Sequence, residues 1–339
     1  MTRPAPLNLV GRRLITLPLL FLATLAVTAS LPLWLLLAAL MALFVPAARA
    51  APRVLLFVTV FLWCETLGVI ASAWLWLRDG RSSDASIRER FLERNFELQF
   101  WWADTLKRSA AFLFRLRFDV QGDAELDGDG VIMLPRHCSI GDTLIPIVYY
   151  CSRHVRRLRY VLKRELLFDP CLDIVGNRLP NYFIDRKSQE TSSEVAGIQA
   201  LTRDLPPDHG VLIYPEGTRF SVAKRDAILA RLEARDADLA ARAQAWDRVL
   251  PPRTAGPIGL LAANPGRDIV FCAHTGFEGS ASFGTLFNGS WLDTQVRIRF
   301  WRVPFAEVPA EAEALRDFLF DQWDRMNAEV ARLQDRAET

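Results

Sequence analysis

Near the middle of this chain of 339 residues stands the stretch Val131-Ile-Met-Leu-Pro-Arg-His-Cys-Ser-Ile-Gly-Asp142, in which an apolar run breaks into a polar turn. The run Val131 to Leu134 has the length and composition of a buried strand. If a helix begins just after His137, with Ser139 or a neighbour as N-cap, one helical turn brings Asp142 back beside His137. A carboxylate there would hold one imidazole nitrogen and leave the other free as a base. Taken alone, this spacing is weak evidence, because a lone histidine near the end of a strand is more often structural.

Three later stretches end in polar residues in a comparable way. Val211-Leu-Ile-Tyr-Pro-Glu-Gly-Thr-Arg219 is a second buried-strand pattern that runs into a glycine turn, and Tyr182-Phe-Ile-Asp-Arg186 is an apolar run that ends at a cation. The fourth stretch is Leu250-Pro-Pro-Arg-Thr-Ala-Gly256. Because α/β sheets bind ligands beyond the carboxyl ends of their strands, we expect His137 and the glycine turn to share one groove.

In the order in which they occur along the chain, the four stretches resemble the sequence blocks of glycerolipid acyltransferases of the lysophosphatidate (1-acylglycerol-3-phosphate) acyltransferase type. The fourth is similar to the Pro-Arg-Thr-x-Gly block of the branch that includes lysocardiolipin acyltransferases, although Pro257 stands where that branch has an aromatic residue. The resemblance covers residues 112 to 304. It implies a membrane-bound O-acyltransferase that moves an acyl group from a thioester to a lysophospholipid, whose own hydroxyl is the nucleophile.

Acyl transfer to an alcohol needs a base, donors for the developing oxyanion and charge that holds phosphates. His137 is the predicted general base, and Asp142 is the carboxylate that orients it. Glu216 in such a turn needs a partner, either an arginine or the substrate. The residues predicted to bind substrate phosphate or the acyl donor are Arg186, Glu216, Gly217, Thr218, Arg219, Arg253 and Thr254. Lys163 and Arg164 form a second candidate phosphate or headgroup patch, for which a solvated basic face is an equal alternative.

Two long apolar runs precede this region. Residues 14–48 carry no charge, residues 54–77 carry only Glu65, and each run is long enough to span a bilayer. Pro32 leaves open either one kinked span or two shorter segments in a re-entrant hairpin. Arginines before and after the two runs favour a cytoplasmic position for both ends. We therefore expect an integral membrane protein, of the bacterial inner membrane, with its catalytic domain on the cytoplasmic face.

The patterns divide the chain into three predicted parts. They are a membrane anchor over residues 1–80, an aromatic-rich amphipathic segment over 81–112, and an α/β domain over 113–339 that ends in an amphipathic helix at 310–336. Strand and helix patterns alternate in the third part, which predicts a mostly parallel sheet flanked by helices. The expected elements include a first strand from Leu113 to Val120 and a charged helix from Ala223 to Val249.

The middle segment allows two interpretations that the sequence does not separate. It is either a helix of the globular core or a helix in the membrane interface. In the second case Phe96, Phe100, Trp101 and Trp102 would sit at headgroup depth. An anchor-free chain that begins after Arg78 would then remain a globular domain.

Composition restricts the partners and cofactors. The net charge is only +2, which gives no reason to expect nucleic acid as a partner, and the five cysteines show neither a disulfide framework nor zinc-ligand spacing. No metal or prosthetic group is expected, and the partners are a lysophospholipid, the bilayer, and acyl-CoA or acyl-carrier protein as donor. Lysophosphatidate is the expected acceptor, with lysocardiolipin or a lipid like lysophosphatidylglycerol as alternatives. A hydrolase using the same base and a non-catalytic lipid-binding protein are the competing function classes.

Overall fold

The computed structural model describes residues 9–152, 157–185, 191–280 and 282–336. The chain consists of two compact units. The helical unit contains Met1–Leu113, Lys163–Asn181 and Phe287–Gly289, and the sheet unit contains Phe114–Leu162, Tyr182–Leu286 and Ser290–Thr339.

Helices and strands alternate after the first three helices. The α-helices found in the described ranges are α1 (Leu9–Phe44), α2 (Ala51–Asp79), α3 (Ala85–Phe114), α4 (Leu144–Cys151), α5 (Pro170–Val175), α6 (Thr191–Gln199), α7 (Val222–Glu233), α8 (Ala237–Gln244), α9 (Ala255–Ala262) and α10 (Ala312–Asp335). The strands there are β1 (Arg117–Gln121), β2 (Ile132–Pro135), β3 (Arg157–Lys163), β4 (Tyr182–Ile184), β5 (His209–Leu212), β6 (Ile269–Thr275) and β7 (Gln295–Val303).

In the helical unit, α1 and α2 pack against each other and are joined by a short 3-10 turn at Pro46–Ala50. The hydroxyls of Thr24 and Thr66 lie 2.8 Å apart in this interface, which satisfies polar groups between two apolar helices. Both helices are long and apolar enough to cross a membrane, by length and composition. Of the two arrangements left open for the first apolar run, the structure has one continuous helix, which passes through Pro18 and Pro32.

The short helix α5 is tied to α1 and α2 by polar contacts, and Glu65 of α2 also bonds to α3. Asp173, whose side chain is fully buried, accepts hydrogen bonds from Arg12 at 2.5 Å and from Arg13 at 2.8 Å. Glu65 accepts a bond from the indole N–H of Trp102 at 2.6 Å and one from the backbone N–H of Cys171 at 3.2 Å. The charged residue inside the second apolar run therefore has a packing role within this unit.

Helix α3 has one packed face and one exposed face. Phe96 is buried against Cys171, Val175 and Leu179, and Trp102 is partly buried in the same cluster. Phe96 and Trp102 therefore pack inside the helical unit, as the core-helix interpretation requires of them. Trp101 is 39% exposed and Phe112 is 83% exposed. Periodicity alone could not assign these aromatic residues to one face or the other.

The sheet unit contains a seven-stranded sheet in the order β1-β7-β6-β2-β5-β3-β4. Strand β2 pairs in parallel with both β5 and β6, β3 pairs in parallel with β5, and β1 with β7, whereas β6 and β7 are antiparallel. All four residues of β2 are buried, as expected for a central strand covered on both faces. The prediction of a mostly parallel sheet flanked by helices is confirmed.

Helix α10 covers one face of the sheet. A stripe at helical spacing packs there against Phe271, Trp301 and neighbouring apolar side chains; it consists of Leu315, Leu319, Trp323, Met326, Val330 and Leu333. The indole N–H of Trp323 donates to the carbonyl of Leu250 at 2.9 Å. This contact fixes the segment that carries the fourth sequence block.

Two predicted element boundaries are wrong. The expected strand from Leu113 begins only at Arg117, because α3 continues to Phe114, which is buried and packs on Trp291 at a ring distance of 5.4 Å. The expected helix from Ala223 to Val249 is two helices. Asp236 interrupts it by accepting a hydrogen bond from the backbone N–H of Leu239 at 3.0 Å, which makes Asp236 the N-cap of α8.

Candidate active site at the end of strand β2

His137 and Asp142 form a buried pair just beyond β2. The Nδ1 atom of His137 lies 2.9 Å from Oδ1 of Asp142, which confirms that the two side chains are within hydrogen-bond reach. His137 is 6% exposed and Asp142 is 1% exposed. Because a carboxylate only accepts, Nδ1 carries the proton, and Nε2 is the nitrogen that can take a proton from a substrate.

The turn between them is held differently from the prediction. Ser139 does not cap a helix; its Oγ lies 2.6 Å from Oγ of Ser280 and accepts a bond from the N–H of Gly141 at 3.0 Å. A 3-10 turn, Gly141–Thr143, precedes α4. Oδ2 of Asp142 accepts bonds from the N–H groups of Cys138 at 2.6 Å and Ser139 at 2.7 Å. The carboxylate therefore organises the turn and the imidazole together.

The electrostatic surroundings favour an ionised Asp142. Burial by itself would raise the pKa of this carboxyl, but the charge of His137, its hydrogen bond and the neighbouring His274 lower the pKa below its usual value. An ionised Asp142 stabilises the imidazolium that forms when His137 accepts a proton.

Glu216 braces the site from within the protein. Its Oε1 accepts a bond from the backbone N–H of His137 at 2.9 Å, and its Oε2 accepts one from the N–H of Leu250 at 3.1 Å. The side chain is almost fully buried, and burial raises its pKa to about 8. The sequence predicted an arginine or the substrate as its partner; the structure places backbone N–H groups of two other blocks there instead. Glu216 thus joins β2, the glycine turn and the fourth block.

The glycine turn requires its glycine for two reasons. Gly217 has φ +67°, which is a left-handed conformation, and a Cβ at this position would lie 2.9 Å from Cδ and Nε of Arg253. The N–H of Arg253 donates to the carbonyl of Pro215 at 2.9 Å. The exposed Arg253 side chain therefore lies across the turn that leads to the partly buried Thr218 and Arg219.

The glycine turn and the His137 pair are joined directly. The N–H of Phe220 donates to the carbonyl of His137 at 2.8 Å, and the ring centroids of Tyr214 and His137 are 4.5 Å apart. The structure thus brings together His137, Asp142, Glu216, Gly217, Thr218, Arg219, Arg253 and Thr254, the last as the residue before α9.

The other predicted binding residues lie elsewhere in the chain. Arg186 lies outside the described residues. Lys163 is the last residue of β3, and Arg164 begins a 3-10 turn that extends to Phe168. Both residues lie where the chain passes from the sheet unit into the helical unit. Arg164 is exposed there, as either interpretation of the patch requires.

Arg136 is a buried residue of the site that sequence reasoning missed. It is 1% exposed, and its guanidinium donates to the carbonyls of Arg248 at 2.8 Å and His274 at 2.6 Å and to the carboxylate of Glu278 at 2.7 Å. These bonds hold the residue before His137 against β6 and against the segment that leads into the fourth block. Its position next to His137 was the only available signal, because burial of an arginine depends on partners distant in the chain.

His274 is a second histidine behind Asp142. It is 1% exposed, and its Nε2 lies 3.1 Å from the carbonyl of Arg136 and 3.6 Å from Oδ2 of Asp142. Burial lowers the pKa of His274, which favours the neutral ring with Nε2–H directed at these acceptors. A single histidine within the apolar strand β6 gave no signal in the sequence.

Cys138, Asp142 and His274 place potential ligand atoms within 4.8 Å of one another. Asp142 already accepts bonds from His137 and two backbone N–H groups, so a cation would compete with the pair itself. Burial raises the pKa of the Cys138 thiol well above its usual value, which makes it a poor ligand and a poor nucleophile. That the reaction needs no metal stays a prediction.

Comparisons with known proteins concern the fold and the segment that contains most of this site. Residues 117–245 match the model of the Acyltransferase family. The fold is similar to the crystal structure of the 1-acyl-sn-glycerophosphate (LPA) acyltransferase PlsC from Thermotoga maritima, with a TM-score of 0.52 and 15% identity over 84% of this chain and 98% of that one. The likeness to that structure concerns the fold, and the family match concerns the segment with the His137 pair and the glycine turn. Residues 117–245 therefore carry an acyltransferase domain, as the motifs predicted.

Proposed function

We propose that the chain transfers a fatty acyl group from acyl-CoA or acyl-carrier protein to the free hydroxyl of a lysophospholipid. The proposed acceptor is 1-acylglycerol-3-phosphate, and the product is then phosphatidate. The observation that supports this most is the brace of Glu216, which joins the His137 pair to the Gly217–Arg219 turn. A base and a cationic turn are thereby held at one end of the sheet, as transfer to a phosphate-bearing alcohol requires.

In the proposed mechanism, Nε2 of His137 removes the proton of the acceptor hydroxyl as its oxygen attacks the thioester carbonyl carbon. The carbon–sulfur bond then breaks, and the departing thiolate takes the proton from the imidazolium. Asp142 holds the ring and stabilises its positive charge during both steps. Neighbouring Ser139 and Cys138 are unsuited to form an acyl-enzyme, since Ser139 is fully buried and bonded to Ser280 and the Cys138 thiol is held protonated.

The substrate phosphate is assigned to the outer side of the glycine turn. Thr218 and Arg219 offer a hydroxyl and a guanidinium, and Arg253 lies across Gly217 beside them. Guanidinium groups bind phosphate oxygens in pairs, which suits a lipid headgroup or the phosphates of coenzyme A. Arg186 is kept as a predicted further ligand.

We also propose that the helical unit holds the enzyme in a bilayer. Both α1 and α2 are long enough to span, and their outer faces carry exposed apolar side chains such as Leu22, Leu25, Leu33, Trp34, Ile70 and Trp74. An exposed apolar surface of this length would be unfavourable in water. The flanking arginines favour a cytoplasmic catalytic domain, in a bacterial inner membrane.

One incubation separates the function classes. Purified protein in detergent is mixed with radiolabelled acyl-CoA or acyl-carrier protein and with lysophosphatidate, lysophosphatidylglycerol, lysocardiolipin or lysophosphatidylcholine. We expect labelled phosphatidate from lysophosphatidate, and no product from His137→Ala. Labelled free fatty acid as the main product would indicate a hydrolase, and no turnover with any lipid would indicate a non-catalytic lipid-binding protein.

A further inference from the structure

Lys224 is a cation of the glycine turn that has no assigned role. It lies in the first turn of α7, where its backbone N–H donates to Oγ of the N-cap residue Ser221 at 3.3 Å. Its Nζ donates to the carbonyl of Arg219 at 2.9 Å and to Oγ1 of Thr218 at 3.4 Å. The ammonium group is therefore one hydrogen bond away from a hydroxyl proposed to bind phosphate.

The acidic side chain and the cationic side chains at this turn make different contacts. The acidic side chain of the turn, Glu216, faces inward to the backbone N–H groups of His137 and Leu250. The cationic side chains lie on the other side, where Arg253 crosses Gly217 and Lys224 contacts Thr218 and Arg219. The side chains of Lys224 and Arg253 thus contact one short turn that itself includes Arg219, and the carboxyl group of its Glu216 is buried.

The ammonium group of Lys224 can bind a ligand as well as support the turn. An ammonium group is a compact charge with three donors on a flexible chain, and it can bind a phosphate oxygen without a fixed orientation. The side chain is exposed, so a substrate can reach it. Its bond to the Arg219 carbonyl keeps Nζ at the turn instead of extended into solvent.

We propose that Lys224 binds a substrate phosphate together with Thr218, Arg219 and Arg253. The inference rests on the proposed function, since it concerns the substrate of the same site. Two phosphates have this chemistry: the headgroup of the acceptor lipid and the phosphates of coenzyme A. Lys224 therefore contributes to substrate affinity, and proton transfer at His137 does not depend on it.

The test compares Lys224→Met with Lys224→Arg and with Arg231→Met, a control for loss of one exposed cation from the same helix. The KM values of lysophosphatidate and of the acyl donor are measured separately in detergent, with acyl-CoA and with acyl-carrier protein. Loss of one charge-assisted bond should raise KM about tenfold in Lys224→Met, with kcat changed by less than about threefold. Lys224→Arg should restore most of the affinity, and Arg231→Met should resemble wild type.

The two sources of phosphate give different patterns, and each supports the proposal. A higher KM for lysophosphatidate identifies the headgroup, and a higher KM for acyl-CoA but not for acyl-carrier protein identifies the nucleotide phosphates. Unchanged KM values, or a loss of kcat alone, would overturn it. If Lys224→Met fails to fold by circular dichroism, Lys224→Gln is read in its place by the same criteria. A wild-type protein that transfers no acyl group would overturn the proposed function, and the role of Lys224 with it.

Discussion

His137 is held at three points, one by Asp142 of its own turn and two by the segment of the glycine turn. Its ring contacts Asp142, its backbone N–H donates to Glu216, and its carbonyl accepts a bond from Phe220. The ring orientation and the backbone position are thus fixed independently. A base that is fixed in both ways needs little reorganisation when the substrate arrives, which is the condition for efficient proton transfer.

The first prediction concerns this pair. His137→Ala should fold normally and lose about 10²–10⁴-fold or more in kcat/KM, because general-base catalysis contributes that range. Asp142→Asn should cost less if Asp142 only orients the ring. Acyl transfer by purified variants with matched melting temperatures measures both effects. Near-normal turnover by His137→Ala would remove the proposed mechanism.

The second prediction concerns the buried Glu216. Burial raises its pKa to about 8, above the ordinary value of 4.5, so between these two values the folded protein binds more protons at this site than the unfolded chain. Its contribution to stability is therefore present at low pH and is lost as the pH rises towards 8. Denaturant unfolding at pH 5, 6.5 and 8 should show this loss in wild type and a flatter profile in Glu216→Gln.

The glutamine variant also has a cost that does not depend on pH. Its amide NH₂ faces one of the two backbone N–H groups that the carboxylate satisfies, so we expect it to be less stable by about 1–3 kcal/mol at pH 5. Parallel pH profiles of the two proteins would contradict the assignment to Glu216.

At the scale of elements, the glycine turn is defined by a backbone conformation and by a contact. Gly217 and Gly266 both have positive φ, at +67° and +99°, but only Gly217 has a side chain across it, whereas a Cβ on Gly266 would meet nothing within 4 Å. Replacing each glycine by alanine therefore separates backbone strain from displacement of Arg253.

The third prediction follows from that pair. Gly217→Ala and Gly266→Ala should both lose about 1–2 kcal/mol of stability, the cost of a left-handed non-glycine residue. Only Gly217→Ala should also raise the KM of the phosphate-bearing substrate, because the new methyl group moves Arg253. Unfolding curves and steady-state kinetics on both variants test this. Equal kinetic effects would argue against Arg253 as a phosphate ligand.

Helices and strands that are determined by their own local sequence pattern were predictable from the sequence. Helix α10 differs from its prediction by two residues at the start and one at the end, since its sequence pattern contains its own periodicity. The inward direction of Glu216, the burial of Arg136 and the presence of His274 behind Asp142 were not predictable. Each of them depends on partners that only the assembled sheet brings near, and the periodicity of one segment carries no information about them.

At the scale of the molecule, the structure changes what removal of the first 78 residues should do. Asp173 would lose both arginine partners, and Trp102 and Cys171 would lose Glu65. The expectation of a remaining well-folded globular domain is therefore replaced by one of poor solubility. Helices α1 and α2 are thus structural parts of the helical unit as well as the proposed membrane anchor.

The fourth prediction tests this in the full chain. Arg12→Gln combined with Arg13→Gln leaves Asp173 buried without its charged partners and should cost about 3 kcal/mol or more. The control is Arg78→Gln, which removes an ion pair whose arginine is 41% exposed and should cost less than about 1 kcal/mol. Melting in detergent measures both. Similar melting temperatures for the two proteins would contradict a structural role of the Asp173 contacts.

The long sequence separation between Arg136 and its partners also determines when, during translation, these bonds can form. Its partners, His274 and Glu278, follow it by 138 and 142 residues, and synthesis proceeds at roughly 5–20 residues per second. His137 is thus translated on the order of ten seconds before the segments that hold its neighbour Arg136. During that interval α1 and α2 already exist, so a nascent chain anchored as proposed would lie in the bilayer before its site is assembled. Activity therefore requires that nearly the whole polypeptide has been made. Incomplete products of translation should have no acyltransferase activity.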